Sequence, residues 1–103
     1  MGYAVIRYGV KTEGADENRA LVAKVFEELA QAAPPQLQYL VLELQNGEFV
    51  HIVNEQSGAP QLPKLAAFKA FIEHHGDRRS TPVERSEAKI VGNYRMLDGP
   101  KPA

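Results

Sequence analysis

Three histidines carry the clearest chemical potential in this chain of 103 residues, which contains no cysteine and no tryptophan. His51 lies in a stretch of alternating apolar residues, whereas His74 and His75 are adjacent. Histidine changes its charge near pH 6.5 and can act as a general base. Adjacent helical residues diverge by about 100°, so His74 and His75 cannot both ligate one metal ion from one turn. Zinc spacings such as HExxH are also absent, and we predict no metal site.

Other side chains near these histidines could hold an anion or a phenol, because arginine, tyrosine and asparagine all donate hydrogen bonds. We predict His51 and His75 as the catalytic candidates. The predicted ligand-binding residues are Arg7, Tyr39, Asn93 and Arg95. Two alternatives stay open. The groups around His51 can instead pair with carboxylates such as Glu43 across an interface, and His75 can instead stabilise a helix C-terminus.

Two clusters of charged residues are expected to be solvated. Lys24, Glu27 and Glu28 fall on the polar side of a predicted helix. Arg78 and Arg79 fall in a polar connection, residues 77–87, where an arginine pair holding a phosphate or carboxylate is the alternative.

Composition excludes several classes of function. The formal net charge is −1, and nonspecific nucleic-acid binding requires clustered positive charge. Apolar runs fall far short of the roughly 20 residues that span a bilayer, and the N-terminus lacks the layout of a signal peptide. We therefore predict a cytoplasmic protein without nucleic-acid or membrane partners. Its single domain is expected to cover residues 1–97, with a flexible tail at 98–103.

Hydrophobic periodicity divides the chain into four strands and two helices. The predicted strands are residues 3–10, 37–45, 48–54 and about 88–97. The first helix is predicted to begin at a cap on Asp16 and to end near Ala33, before two prolines. The second is predicted to begin at Pro63 and to end at Gly76. Asn46-Gly47 favours a tight hairpin turn between the second and third strands.

This order of elements predicts an α+β, ferredoxin-like βαββαβ sandwich. Two helices would cover one face of a four-stranded antiparallel sheet whose order is four, one, three, two. Side-chain alternation places Tyr8, Leu42 and Ile52 on the helix side. The open face would then carry Tyr3, Val5, Arg7, Tyr39, Val41, Glu43, Phe49, His51, Val53, Val91, Asn93, Arg95 and Leu97. That face is too apolar for water, which predicts a homodimer through it, although a one-residue slip would exchange the faces.

The sequence resembles the dimeric α/β-barrel superfamily, and within it the small antibiotic biosynthesis monooxygenase-like proteins. The resemblance lies in five segments: Val5-Ile6-Arg7-Tyr8, Asn18 to Leu29, Phe49-Val50-His51, Leu65 to Phe71, and Val91-Gly92-Asn93-Tyr94. It implies a barrel of two sheets packed across a twofold axis, with a pocket between each sheet and its helices or under the loops. It also implies cofactor-independent oxidation of aromatic compounds, or haem degradation, in the members that have a known activity.

The chain departs from the active members of that group. Those oxygenases use a tryptophan beside asparagine and histidine or tyrosine, and no tryptophan is present here. Only His74-His75 falls near the position where the haem-degrading members carry an axial histidine. We predict no cofactor, with haem as the alternative.

The expected function is a homodimer that binds a small apolar, aromatic or anionic molecule, with a monooxygenase-like reaction as its catalytic form. The alternative is a non-catalytic interaction protein in which the polar residues serve only the dimer. The RNA-recognition fold shares the order of elements, but Glu48 stands where its motif needs glycine or alanine, and no basic run accompanies it.

Overall fold

The computed structural model describes residues 2–55 and 61–97, which form four strands and three helices. The strands are β1 (Tyr3–Gly9), β2 (Leu37–Glu43), β3 (Glu48–Glu55) and β4 (Glu84–Ala88). The helices are α1 (Ala15–Ala32), α2 (Ala66–Ile72) and α3 (His75–Arg78), and short 3₁₀ turns precede α1 and α2. The serine, glycine and proline of residues 56–61 predict a loop, which lies outside the described residues except for Gln61, and so does the predicted tail at 98–103.

All strand pairs are antiparallel, and the order across the sheet is β2-β3-β1-β4. This confirms both the ferredoxin-like α+β fold and the predicted strand order. The β2–β3 hairpin turns at Gly47, whose φ of 90° is a conformation that side chains disfavour. Asn46 stabilises the turn, because its Oδ1 accepts a hydrogen bond from the backbone N–H of Glu48 at 3.0 Å.

Helix α1 presents an apolar stripe to the sheet, as its periodicity predicts. Val25 is buried, and Leu21, Val22 and Leu29 pack against the core. The helix ends because Ala33 adopts a left-handed conformation before Pro34. The predicted cap is wrong: Gly14 occupies the cap position, and Asp16 lies in the first turn, where it pairs with Arg19.

The second predicted helix is two helices, because His74 has a φ of 60° and interrupts the chain between α2 and α3. Gly76 therefore lies inside α3 instead of ending a helix. The start of α2 is capped from the neighbouring helix: the Glu28 carboxylate accepts hydrogen bonds from the backbone N–H groups of Ala66 at 3.3 Å and Ala67 at 2.8 Å. The prediction that Glu28 is merely solvated is thus wrong.

The predicted last strand at residues 88–97 is also wrong. Strand β4 lies earlier, inside the predicted polar connection, and pairs with β1 from Tyr3↔Ala88 to Arg7↔Glu84. Most of β4 is exposed, since it forms an edge of the sheet, and its pairing depends on backbone hydrogen bonds that a hydrophobic pattern does not reveal. The apolar residues that suggested a strand are exposed beyond it: Ile90, Val91, Tyr94 and Met96.

The face of the sheet that each strand residue occupies follows from the register. Ile6 pairs with His51, and His51 pairs with Val41, so these three side chains share one face. That face lies under the helices. The assignment of β1 is therefore confirmed, whereas those of β2 and β3 are reversed, because both of their faces are apolar. The open face carries five aliphatic residues: Val5, Leu40, Leu42, Val50 and Ile52.

Candidate functional site

A chain of hydrogen bonds crosses three strands on the helix side of the sheet. The two ring nitrogens of His51 each meet a tyrosine hydroxyl: Nε2 lies 2.7 Å from the Tyr8 oxygen, and Nδ1 lies 2.6 Å from the Tyr39 oxygen. These residues come from β1, β3 and β2, which lie side by side in the sheet. Because alternate residues of neighbouring strands point to one face, the register brings the three rings together.

Two further side chains extend this network into the helices. Asn18, in α1, donates from Nδ2 to the Tyr8 hydroxyl over 3.3 Å, and its Oδ1 accepts from Nε of Arg78 at 3.1 Å. Arg78, in α3, also donates from Nη2 to the Phe71 carbonyl at 2.7 Å, and its guanidinium lies over the Phe71 ring. The order is Tyr39, His51, Tyr8, Asn18, Arg78, and we call these five residues the polar network.

Burial makes the polar network unusual. Asn18 is fully buried, and Tyr8, His51 and Arg78 are each at most 4% exposed. None of the described carboxylates lies within salt-bridge distance of Arg78. Burying a cation without a counter-charge costs several kcal/mol, by order of magnitude, unless hydrogen bonds compensate. The cost indicates a role for this arrangement beyond packing.

A glycine lets α3 approach closely enough to place Arg78. A Cβ atom at Gly14 would lie 3.3 Å from the Arg78 Cβ and 3.5 Å from its carbonyl oxygen. The Lys11 backbone N–H also donates to that carbonyl at 2.8 Å. The turn before α1 and helix α3 therefore contact each other, and Arg78 lies next to the start of α1.

His75, the second predicted catalytic residue, lies beside the polar network. Its ring meets the Tyr8 ring edge to face at a centroid distance of 4.6 Å, and the Phe71 ring lies 4.9 Å away. The His75 Nε2 atom is buried and has no hydrogen-bond partner among the described residues. A buried, unpaired ring nitrogen is costly, and such atoms are concentrated at functional sites.

Burial sets the protonation states here. Burial, together with the smaller effect of the neighbouring His75, lowers the pKa of His51 to about 4. Burial also lowers the pKa of His75 to about 4, helped by Arg78 and Arg79. Burial raises the pKa of Tyr8 to about 12 and raises that of Tyr39 as well. At neutral pH both histidines are neutral and both tyrosines keep their protons, so these four side chains carry no formal charge.

A groove opens at the Tyr39 end of the polar network, between α1 and the start of β2. Its volume is about 350 Å³. The Phe26 ring stacks on the Tyr39 ring, with a centroid distance of 5.0 Å. The lining residues are Phe26, Leu29, Ala30, Ala33, Pro34, Leu37 and Tyr39. Tyr39 belongs both to the groove and to the polar network, and it is the one polar side chain among those seven.

The remaining predicted site residues lie elsewhere. Arg7 is on the open face, which is the face of the sheet away from His51, and it pairs with Glu48 at 3.1 Å. Asn93 accepts backbone hydrogen bonds from Met96 and Leu97 in the exposed segment after β4. Arg95 lies over the Tyr94 ring in the same segment. The prediction that Arg7, Asn93 and Arg95 surround His51 is therefore wrong, since His51 faces the helices and the last strand lies earlier than expected.

Sequence analysis missed Tyr8 and Asn18 as site residues, and its expectation that Arg78 is solvated is wrong, since Arg78 is buried and bonded to Asn18. Asn18 could have been found, because it lies four and seven positions before Val22 and Val25, in phase with the apolar stripe of α1. A polar residue in that phase must be buried. Arg78 gave no such indication, since it follows His74, where the backbone leaves the predicted helix.

Within residues 2–55 and 61–97, no group of three or more His, Asp or Glu could hold a metal ion, and no helix is long and apolar enough to cross a membrane.

The depressed pKa values predict a pH-dependent stability. A histidine in the unfolded chain titrates near pH 6.5. Between pH 6.5 and about 4, His51 and His75 therefore bind protons in the unfolded chain but stay neutral in the folded chain. The free energy of unfolding should therefore fall as the pH is lowered from 6.5 to 5, a range in which most carboxylates stay ionised. Urea denaturation at several pH values measures this slope.

The adjacent histidines provide a matched pair of variants for that measurement. His75→Gln should flatten the slope, because it removes one of the two groups that resist protonation. His74→Gln removes an exposed histidine that pairs with Asp77, at the same break between helices, and serves as the control. An unchanged slope in His75→Gln would contradict the protonation states described above.

Comparison with known proteins identifies relatives by structure alone. No protein-family model and no curated protein matches the chain. A proposed antibiotic biosynthesis monooxygenase from Nitrosomonas europaea has a TM-score of 0.71 at 13% identity, over 87% of this chain and 89% of that one. Rv0793 from Mycobacterium tuberculosis has a TM-score of 0.69 at 17% identity, over 90% and 98%. An antibiotic biosynthesis monooxygenase has a TM-score of 0.68 at 17% identity, over 89% and 100%. The chain thus has the ferredoxin-like fold of the antibiotic biosynthesis monooxygenase-like structures.

Proposed function

We propose that this protein is a homodimer that binds a small apolar or aromatic molecule in the groove beside Tyr39. The observation that carries the proposal is the position of Tyr39, which lines the groove and ends the buried polar network. A mostly apolar site with one precisely placed polar group is a typical arrangement for binding and orienting a small ligand.

The dimensions of the groove limit the ligand. Small-molecule sites occupy about 300 to 1,000 Å³, so the groove, at about 350 Å³, suits a molecule of one or two rings. Its aliphatic and aromatic lining favours an apolar body, and the Phe26 ring, stacked on Tyr39, favours a flat one. The polar atom of such a ligand would gain most by meeting the Tyr39 hydroxyl.

The catalytic form of this function is a monooxygenase-like oxidation of the bound molecule, as the names of the structural neighbours suggest. Dioxygen would be the oxidant, with one oxygen atom entering the bound molecule, the other leaving as water, and the bound molecule supplying the electrons. The polar network supports it, because His51 can accept a proton at one ring nitrogen while giving one from the other. With a pKa of about 4, His51 would act as a relay between the two tyrosines instead of storing a proton at neutral pH.

Filling the groove should abolish ligand binding. Ala30 is exposed and lines the groove, so Ala30→Trp places a large ring in the space that the ligand would occupy. We expect wild type to bind 2-acetonaphthone, a two-ring ketone, and Ala30→Trp to lose at least tenfold in affinity. Titration calorimetry, with chemical shifts of Phe26 and Leu37 as the map of the site, measures both.

Ala23→Trp is the matched control for this experiment. Ala23 is exposed on the same helix but does not line the groove, so this variant should bind the ketone as wild type does. No binding to wild type, or equal losses in the two variants, would contradict a ligand site in the groove.

The open face supports the second part of the proposal, the homodimer, and also the alternative of a non-catalytic interaction protein. Leu40 and Leu42 are 46% and 43% exposed, and they lie beside Val50 and Ile52 on a flat sheet. Contiguous apolar surface of this kind marks an interface. A second copy is the favoured occupant, because the patch carries an Arg7–Glu48 pair whose two charges are self-complementary across a twofold axis.

A charge on the open face should separate the dimer. Leu42→Lys places an ammonium in the apolar patch, where desolvation without a partner is costly. Sedimentation velocity should show a dimer for wild type and a monomer for Leu42→Lys. Ile72→Lys is the matched control, since Ile72 is 51% exposed on α2, on the helix side of the sheet. A monomeric wild type, or a dimeric Leu42→Lys, would contradict the proposed interface.

A further inference from the structure

We infer that Arg78 and Asn18 fix the direction of every hydrogen bond in the polar network, so that Tyr39 is left as a donor and the ligand presents an acceptor oxygen to it. The acceptor is a carbonyl or an oxyanion, such as a phenolate or enolate oxygen. This inference rests on the proposed function and specifies its ligand class. Arg78 and Asn18 are then positioning residues, and Tyr39 is the residue that touches the ligand.

The direction starts at Arg78, because a guanidinium has donors and no acceptor. Its Nε–H therefore requires an oxygen at 3.1 Å, and that atom is Oδ1 of Asn18. The orientation of the Asn18 amide follows without ambiguity. Its Nδ2 group must face Tyr8, so Asn18 donates to the Tyr8 oxygen and cannot accept from it.

The second step concerns the Tyr8 proton. The Tyr8 hydroxyl has two partners among the described residues, Nδ2 of Asn18 and Nε2 of His51. If Nε2 carried a proton, the Tyr8 oxygen would accept from both sides and its own proton would have no acceptor. Tyr8 is only 2% exposed, so bulk solvent does not reach its hydroxyl, and such a loss is costly. Tyr8 therefore donates to Nε2.

The third step fixes the state of His51. A neutral imidazole carries one proton, and with Nε2 accepting, that proton lies on Nδ1. Nδ1–H then donates to the Tyr39 oxygen, 2.6 Å away. The Tyr39 proton then has no acceptor within the network, and Tyr39 is the one member of the network that lines the groove. Each hydrogen bond that links two members of the network thus runs from Arg78 toward Tyr39.

The positive charge of Arg78 determines which end of the hydrogen-bond chain faces the ligand. Hydrogen bonds aligned head to tail polarise one another, and here they begin at a buried cation that no described carboxylate neutralises. The positive end of the chain is therefore presented at Tyr39. Such an end stabilises negative charge on a ligand oxygen, which is where charge develops when a phenol or ketone is activated.

The tautomer of His51 tests the inference without any ligand. In ¹⁵N spectra of the full chain with labelled histidine, we expect Nδ1 of His51 to be protonated and Nε2 of His51 to be unprotonated. Asn18→Asp should reverse this, because a carboxylate at that position accepts from both Arg78 and Tyr8. Tyr8 must then accept from Nε2–H, and Tyr39 must donate to Nδ1. Asn93→Asp, the same change outside the network, should leave the tautomer unchanged.

A ligand pair tests the consequence at the groove. 2-Acetonaphthone and 2-isopropenylnaphthalene have nearly the same shape and differ by an oxygen in place of a methylene. Wild type should prefer the ketone by about 5- to 10-fold, the worth of one net hydrogen bond, and Asn18→Asp should lose that preference.

The outcomes separate the two proposals. A protonated Nε2 in wild type, or equal affinity of wild type for the two ligands, overturns the inference while leaving a ligand site in the groove. Failure of both ligands to bind contradicts the proposed function itself. If Asn18→Asp does not fold, the wild-type tautomer and the ligand preference of wild type still decide the inference.

Discussion

A buried guanidinium that has no carboxylate partner among the described residues constrains the side chains around it in this fold. Arg78 can only donate, so the fully buried Asn18 must turn its oxygen toward it, and Tyr8 and His51 must follow in turn. The sheet supplies Tyr8, His51 and Tyr39 from three adjacent strands, and α1 and α3 supply the other two residues. Replacing these groups by apolar ones would remove a desolvation cost, so their presence indicates a role in chemistry or binding.

The two faces of the sheet carry different parts of the function. The helix side holds the polar network and the groove, and the lining of the groove is apolar apart from Tyr39. The open face holds aliphatic residues, the Arg7–Glu48 charge pair and hydrogen bonds from Tyr3 and Asn54 to Gln38, with no part of the polar network. Dimerisation through the open face would therefore leave the groove accessible, and ligand binding and assembly can be tested separately.

Sequence patterns predicted the order of elements, the strand order and the hairpin at Asn46-Gly47, because these depend on local propensity and on loop length. They misplaced His51, since Val50 and Ile52 are as apolar as Phe49 and Val53 and alternation cannot tell the faces of such a strand apart. They missed β4, because Glu84–Ala88 pairs through its backbone at an edge where few side chains are buried. Of the predicted site residues, His51, Tyr39 and His75 lie together. Arg78 could not be found, since its burial depends on the break at His74.

A crystal structure of the protein with 2-acetonaphthone would test the central claim most directly, because it shows where the ligand lies and which atom meets its oxygen. The account predicts the rings against Phe26 in the groove, with the ketone oxygen about 2.5 to 3.0 Å from the Tyr39 hydroxyl. A ligand bound on the open face, or one in the groove whose oxygen turns away from Tyr39 into solvent, would contradict it.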